Sequence, residues 1–374
     1  MDPGLVQLYD SLVGAMCPED VFGALEAEGG GSRSEALDAA FRRLARSCHP
    51  DRFHGSSDPD ERDVAAEAFR RLTAFRARAE VKLANGTWGQ RDAPDTPSGE
   101  ETMEVKTARK TYRVATRPFV EGDVGLLYRG TCLEADGPDA RVVLKLAREA
   151  EDNDLVRNEA RVLGRLKGTP SAQSKHLPVL LDQFKSGDRN GLVLREIDAL
   201  DGTTLREKLP AGVPAEHAAW ILARLLSVLG FAHSKGIVHG NVEPAHVMVH
   251  PPDHNVFVVD WTAAVVEPSR TGEGFRTLNE LYSPPEVGER LPPVPASDLY
   301  SAGKTMVYLL GGDPRTGELP ASVPGRLGRI LSFMTLPGPR QRAQDAWEIY
   351  REVGLAREEL YGPHSFVEFR VVPG

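Results

Sequence analysis

The sequence predicts an α+β protein of more than one domain, and three observations support this. Before residue 89, apolar side chains recur at the three- and four-residue spacings of helices. After residue 110, short β-rich runs come first and longer helical runs follow, an order typical of α+β units. Between them, residues 89–110 form an acidic segment rich in Pro, Gly and Ser, which predicts a linker. The 374 residues are enough for two or three domains.

Composition and charge argue against several classes of protein. The net charge of −9 disfavours nucleic acid or an anionic membrane as the main partner. Three cysteines without a CxxC pair indicate neither a disulfide framework nor a structural metal site, which fits a reducing compartment. A basic leader segment and a run of about 18 apolar residues are both missing from the sequence. We therefore predict a cytoplasmic protein.

The predicted N-terminal domain, residues 1–88, contains two amphipathic helices. The first covers 32–48, with Ser32 and Glu35 spaced as a capping box, and the second covers 63–83. The tripeptide His49-Pro50-Asp51 opens the connection between them. The outer face of the first helix is basic, carrying Arg42, Arg43 and Arg46. The pattern predicts a small all-α helical hairpin.

Residues 18–84 resemble the J domain of DnaJ-type co-chaperones because the HPD tripeptide follows a basic helix and precedes a second amphipathic one. The resemblance implies docking to a DnaK-type chaperone and stimulation of its ATP hydrolysis. His49 and Asp51 would supply a donor and an acceptor on a loop stiffened by Pro50. The three arginines would steer the module to an acidic surface. The alternative is that these arginines form only a solvated basic face.

The second predicted domain, residues 111–358, carries weak motifs in a fixed order. A glycine turn with Gly122 and Gly125 lies between two β runs, and Lys145 ends a further β run. Glu159 follows 14 residues later in a helical pattern. The remaining positions come later in the chain: Glu196, His239, Asn241, Asp260, Glu286, Asp298 and Arg342.

This ordered set resembles the bilobal protein kinase-like fold, with an N-lobe at 111–196, a C-lobe at 197–358 and a C-terminal tail at 359–374. The resemblance implies ATP and Mg²⁺ as cofactors. It assigns nucleotide binding to Gly122, Gly125, Lys145, Glu159 and Glu196. It also places Asp260 at the metal, pairs Glu286 with Arg342, and makes Asp298 the anchor of the loop at His239.

The loop that resembles the kinase catalytic loop departs from the family pattern at three positions. Asn241 replaces the aspartate that accepts the substrate proton, and an amide has no useful basicity. Glu243 replaces a lysine and puts negative charge where phosphoryl charge accumulates. His246 replaces a metal-binding asparagine, and imidazole suits zinc or manganese better than magnesium. The catalytic loop is therefore predicted to be degenerate, with His246 as a weak metal candidate.

The main hypothesis from the sequence is a co-chaperone adaptor. Its helical module would recruit a DnaK-type chaperone, and its kinase-like domain, a pseudokinase, would bind an unidentified client or signalling protein. The alternative is an atypical ATP-dependent Ser/Thr protein kinase with an accessory J domain. Two further interpretations stay open, an inert scaffold and an enzyme that transfers adenylyl groups. In the scaffold, Lys145 and Glu159 would form only a stabilising ion pair.

Overall fold

The computed structural model describes most of the chain, and its described residues are 2–15, 18–25, 32–53, 55–56, 59–84, 86, 88–89, 101–135, 140–168, 173–289, 291–363 and 367–371. Within these residues the N-terminal part is helical, and strands begin at Thr102. Half of the predicted linker, residues 90–100, lies outside the described residues.

The N-terminal part consists of helices α1 (Pro3–Gly14), α2 (Pro18–Phe22), α3 (Arg33–Cys48), α4 (Pro50–Phe53) and α5 (Pro59–Ala84). The predicted capping box at the start of α3 is confirmed. The Ser32 hydroxyl accepts from the Glu35 amide at 3.2 Å, and the Glu35 carboxylate accepts from the Ser32 amide at 2.8 Å. These two bonds satisfy backbone donors that a helix start leaves unpaired.

Two expectations for the helical module need correction. The second long helix begins at Pro59 instead of residue 63, because proline is well suited to a first helical turn. Residues after His49 form the short helix α4 instead of an open loop, and Phe53 at its end is buried. In addition, helix α1 was not predicted. Asp2 caps it by accepting from the amides of Gly4 and Leu5.

The helical module has a hydrophobic core of its own. The largest of its fully buried side chains come from three helices, namely Leu5 and Leu12 of α1, Leu37 of α3 and Leu72 of α5. This core is separate from the clusters formed by residues after 101. The N-terminal residues therefore pack as a distinct unit.

The first lobe after the linker is a curled antiparallel sheet with one long helix. Its strands are β1 (Thr102–Lys106), β2 (Thr111–Ala115), β3 (Val120–Glu121), β4 (Gly125–Cys132), β5 (Arg141–Ala147), β6 (Leu180–Ser186) and β7 (Arg189–Arg195). Their order is β1-β2-β4-β5-β7-β6, and β3 pairs with β4. Helix α6 (Asn153–Lys167) buries Val156, Leu163 and Leu166 on one face.

Strand β1 corrects the predicted linker boundary. Its residues, Thr102–Lys106, pair with β2 from Thr111 to Ala115, so the sheet begins inside the segment assigned to the linker at 89–110. The strand is an exposed sheet edge, with a single half-buried residue at Val105. Met103 and Val105 alternate with polar residues, but two apolar positions directly after an acidic, Pro-rich segment are a weak signal for a strand.

The second lobe is mainly helical. Its helices are α7 (Gly202–Lys208), α8 (Ala215–Ser234), α9 (Pro268–Thr271), α10 (Pro295–Leu309), α11 (Gly325–Met334) and α12 (Ala346–Tyr361), and its strands are β8 (Leu200–Asp201), β9 (Ile237–Val238), β10 (Val247–His250), β11 (Asn255–Val258) and β12 (Val265–Val266). Among the described helices, α8 is long and apolar enough to cross a membrane, but 72% of its apolar window is buried within the structure. It forms the centre of the lobe's core.

The helical module contacts both lobes of the domain that follows it. The Glu67 carboxylate of α5 lies 3.6 Å from the Arg224 guanidinium of α8. The Lys175 ammonium lies 4.2 Å from the centre of the Tyr9 ring of α1. We call this contact, formed by Tyr9, Glu67, Lys175 and Arg224, the seam.

Candidate active site at the junction of the two lobes

A buried ion pair joins strand β5 to helix α6. The Lys145 ammonium lies 2.8 Å from the Glu159 carboxylate, and the two side chains are 4% and 1% exposed. Lys145 comes from the sheet and Glu159 from the buried face of α6, so the predicted pairing is confirmed. Breaking such a buried pair by removing one partner typically costs about 3–5 kcal/mol.

Asp260 brings a third charge to this pair. It follows β11 with a left-handed backbone (φ 59°), and its carboxylate lies 3.0 Å from the Lys145 ammonium. Burial alone would raise the pKa of Asp260, but the charge of Lys145 lowers it well below its ordinary value. Burial works against the charge of Lys145 as well, but Asp260 and Glu159 raise its pKa. Lys145 is thus shared by two carboxylates that oppose each other, since burial and the charge of Asp260 raise the pKa of Glu159 while Lys145 lowers it.

Helix α6 is also tied to the segment after Asp260. The Asn158 amide donates to the carbonyls of Thr262 at 2.9 Å and Ala264 at 2.8 Å. The Trp261 amide donates to Glu159 at 3.1 Å. Asn158 was not predicted from the sequence, although it lies beside Glu159 on the buried face of α6.

The loop at His239 is fixed from below as predicted. The amides of His239 and Gly240 donate to the Asp298 carboxylate at 2.8 and 2.9 Å. The buried His239 ring donates from Nε2 to the Val259 carbonyl at 3.0 Å and accepts the Asn241 amide at Nδ1. Burial lowers the pKa of His239 to about 4, so the ring is neutral near pH 7.

The three altered residues of this loop lie together beside Asp260. The His246 ring lies 3.4 Å from the Glu243 carboxylate and 3.6 Å from the Asp260 carboxylate. The Asn279 amide donates to Glu243, a contact that the sequence analysis did not anticipate. Burial raises the pKa of Glu243, and the Asp260 charge adds to this shift. Glu243 and His246 therefore add two more ionisable side chains to the cluster of Lys145, Glu159 and Asp260.

The glycine turn covers this cluster from the sheet side. Strands β3 and β4 flank it, and the Gly122 amide donates to the Gly125 carbonyl at 3.0 Å. A side chain at Gly125 would place its Cβ only 3.2 Å from Lys145 Cε. Glycine at this position therefore lets the strand approach the lysine closely.

Glu196 directly follows β7, at the junction of the two lobes, as expected. Its carboxylate, however, contacts two arginines of the sheet. It lies 3.6 Å from Arg129 and 3.4 Å from Arg141, which belong to β4 and β5. Among the contacts of the described residues, its side chain therefore belongs to the sheet surface and not to the Lys145 cluster.

The predicted structural pair beneath the second lobe is present. The Arg342 guanidinium donates to the Glu286 carboxylate at 2.7 Å, and both side chains are buried. This pair ties the segment before α10 to the segment before α12.

The predicted chaperone-binding residues lie on the helical module. His49, Asp51, Arg42, Arg43 and Arg46 are all exposed, and Pro50 is half-buried. The His49 ring lies 3.6 Å from the Asp51 carboxylate and packs edge-on against Phe69. The J-domain assignment, like the cytoplasmic location, stays a prediction.

The chain is similar in sequence to proteins that are named serine/threonine-protein kinases. The chain is 28% identical over 298 residues to the Serine/threonine-protein kinase PknL of Mycobacterium tuberculosis, covering 72% of this chain and 71% of PknL. It is 30% identical over 224 residues to the Serine/threonine-protein kinase PkaB of Streptomyces coelicolor, covering 56% of this chain and 52% of PkaB. No protein-family model matches the chain.

These relatives correct the main hypothesis from the sequence. Proteins named Ser/Thr kinases match most of the chain, so the interpretation as a co-chaperone adaptor with an impaired kinase-like domain is wrong, and the kinase alternative is favoured. The chain contains a protein kinase-like domain, which the match to these relatives supports and with which the curled sheet, the helical second lobe and the Lys145 cluster are consistent.

Proposed function

We propose that the chain is an atypical ATP-dependent Ser/Thr protein kinase with a helical accessory module that resembles a J domain. The observation that carries the proposal is the Lys145 ammonium, held between Glu159 at 2.8 Å and Asp260 at 3.0 Å. A kinase lysine must be held in this way to meet the phosphates of ATP. The names of the relatives support the same activity.

Each residue of the cluster has a distinct role in this proposal. Lys145 would bind the ATP phosphates, while Glu159 orients it and Trp261 fixes Glu159 through its amide. Asp260 stays ionised because its pKa is lowered, and it would hold a divalent ion together with His246. The ion would neutralise charge on the phosphates.

The loss of the proton acceptor at Asn241 determines the rate of phosphoryl transfer that we expect. Asn241 has no basicity to accept the proton of a substrate hydroxyl, and such help is worth about 10²- to 10⁴-fold. Positioning and charge neutralisation supply most of phosphoryl-transfer catalysis. Lys145 and Asp260 are in place for both, although Glu243 adds a negative charge where a lysine would neutralise one. We therefore expect a slow kinase.

The test is transfer of the labelled γ-phosphate of ATP into protein, using purified and dephosphorylated chain with either Mg²⁺ or Mn²⁺. The wild type should incorporate label, while Lys145→Ala and Asp260→Asn should not. Lys185→Ala, an exposed lysine of β6, is the matched control and should behave as the wild type. An absence of label with either metal, or equal label in Asp260→Asn, would contradict the proposal.

A further inference from the structure

Two buried polar atoms at the seam have no hydrogen-bond partner among the described residues. One is Tyr9 Oη of α1, and the other is Nδ1 of His176, which follows Lys175 in the chain. Tyr9 is 4% exposed and His176 is 2% exposed. Buried polar atoms are nearly always hydrogen-bonded, because leaving one unpaired costs free energy. Both atoms are therefore free to bond a ligand that enters the seam.

The seam also has positive charge that its one carboxylate does not balance. Lys175 has no carboxylate partner among the described residues, and its ammonium lies 4.2 Å from the centre of the Tyr9 ring. Arg224 lies 3.6 Å from Glu67, but this carboxylate also accepts from Arg71 at 3.0 Å. Burial, together with the charge of Arg224, lowers the pKa of Lys175. An anion between Lys175 and Arg224 would offset their repulsion.

His176 offers an acceptor to such a ligand. Its ring makes a hydrogen bond to the backbone of Val256, and this bond uses Nε2 because Nδ1 has no partner. Burial, with the charges of Lys175 and Arg224, lowers the pKa of His176 well below its ordinary value, so the ring is neutral. A neutral imidazole that donates from Nε2 has a lone pair on Nδ1. The ligand must therefore bring a hydrogen for His176 as well as negative oxygens for the cations.

We propose that the seam binds monohydrogen phosphate, HPO₄²⁻, through Tyr9, Lys175, His176 and Arg224. Lys175, Arg224 and the Tyr9 hydroxyl donate to the phosphate oxygens, and the O–H of the phosphate donates to His176 Nδ1. Sulfate has the same charge and shape but no O–H. A phosphomonoester has a second pKa of about 6, so above pH 7 it is mostly a dianion without an O–H. The site should thus prefer free phosphate to both.

The position of the site links the ligand to the docking of the helical module. Arg224 is 31% exposed, so solvent reaches the seam, whereas Tyr9 and His176 are buried. A ligand held by α1 and α8 together binds only the docked arrangement and stabilises it by mass action. Phosphate is therefore expected to tighten the contact between the module and the kinase-like domain.

The experiment is hydrogen exchange of the full chain with sodium phosphate, sodium sulfate or O-phosphoserine at equal ionic strength. Phosphate at twice its dissociation constant should slow exchange in α1 and α5 by about 3-fold, and the other two anions should have little effect. Lys175→Gln should abolish the slowing. Lys208→Gln, an exposed lysine at the end of α7, is the matched control and should keep it. Phosphate bound at the Lys145 cluster would not produce this change in α1 and α5.

Tyr9→Phe is a milder variant, because it keeps the ring beneath Lys175 and removes only the hydroxyl. Calorimetric titration of phosphate should show a dissociation constant raised by about 10-fold, as expected for one lost hydrogen bond to a charged group. Equal slowing of exchange by sulfate and phosphate would overturn the proposal. So would slowing that persists in Lys175→Gln, or wild-type exchange that phosphate does not change.

Discussion

Asn241 is the residue at which this site differs most in chemistry from the catalytic loop that it resembles. It lies in a loop whose backbone is held by Asp298, and its carbonyl accepts from His246. The loop geometry is thus preserved while the proton acceptor is missing. Restoring a carboxylate here would change basicity without requiring a new backbone position.

Asn241→Asp should therefore raise the rate of phosphoryl transfer by about 10²-fold or more, because general-base help returns. Label transfer at saturating ATP measures this rate. Asn190→Asp, on β7 of the sheet, is the matched control and should leave the rate unchanged. A rate in Asn241→Asp equal to that of the wild type would show that proton transfer does not limit the reaction.

His239 makes stability depend on pH. The folded state holds it neutral with a pKa of about 4, whereas an unfolded histidine titrates near 6.5, so the unfolded state binds the extra proton. This stabilisation is present above about pH 6.5 and is lost as the pH falls towards 4. The loss from this buried ring is of the order of 3 kcal/mol at full effect.

Urea unfolding followed by tryptophan fluorescence at pH 7 and pH 5 checks this expectation. The wild type should be less stable at pH 5, and His239→Gln should show a smaller difference between the two pH values. An equal difference in both proteins would assign the pH dependence to other groups.

The sequence was sufficient to predict the charged residues of the site but not the asparagine side chains that contact the segments around them. Lys145, Glu159, Asp260 and Asp298 stand at motif spacings. Lys145, Glu159 and Asp298 have the partners that were expected, whereas the contact of Asp260 with Lys145 was not predicted. Asn158 stands at no motif position, and its contacts could not be predicted because an amide gains its partners only when distant segments fold together.

At the scale of elements, helix α6 and the segment after β11 behave as one unit. Asn158 joins them through two carbonyl contacts, and Glu159 joins them through Trp261. Both residues are buried, so these contacts are shielded from water. The position of α6, and with it the Lys145 pair, thus depends on this connection.

Asn158→Ala should destabilise the fold by about 1–3 kcal/mol, because it leaves two buried carbonyls without their donor. Hydrogen exchange should become faster in residues 260–264 and in α6. Arg161→Ala, which removes a donor to Asn158 but leaves the carbonyl contacts, is the matched control. Unchanged exchange in residues 260–264 would contradict the coupling.

Elements with a clear hydrophobic period were predictable, whereas those without one were not. Helix α3 and its cap followed from the spacing of apolar residues and from Ser32. Strand β1 was missed because its alternation covers only Met103 and Val105 and follows directly on the acidic, Pro-rich segment. Helix α4 is only four residues long, which is too short to display a period.

At the scale of the whole molecule, the seam connects the helical module to the kinase-like domain. Glu67 is 9% exposed and Arg224 is 31% exposed, so the pair lies partly out of water. Lys175 Nζ lies over the face of the Tyr9 ring, and burial, together with the charge of Arg224, lowers the pKa of Lys175 well below its ordinary value. Composition alone could not predict this arrangement, because a polar linker permits many relative positions.

Arg224→Glu should loosen the seam, because it puts a second negative charge beside Glu67. Hydrogen exchange in α1 and α5 should become faster, while nucleotide binding stays unchanged because the Lys145 cluster is not involved. Arg351→Glu, an exposed residue of α12, controls for the change in net charge. Exchange equal to that of the wild type would show that the seam does not hold the module in solution.

Phosphosite mapping by mass spectrometry tests the central claim most directly. The fully dephosphorylated chain is incubated with ATP and Mn²⁺ or Mg²⁺, alone and with a mixture of Ser/Thr-containing peptides, beside the Asp260→Asn variant. The account predicts phosphoserine or phosphothreonine in the wild-type reactions and none in Asp260→Asn. Wild-type reactions without any phosphorylated residue, in samples that bind ATP, would contradict it.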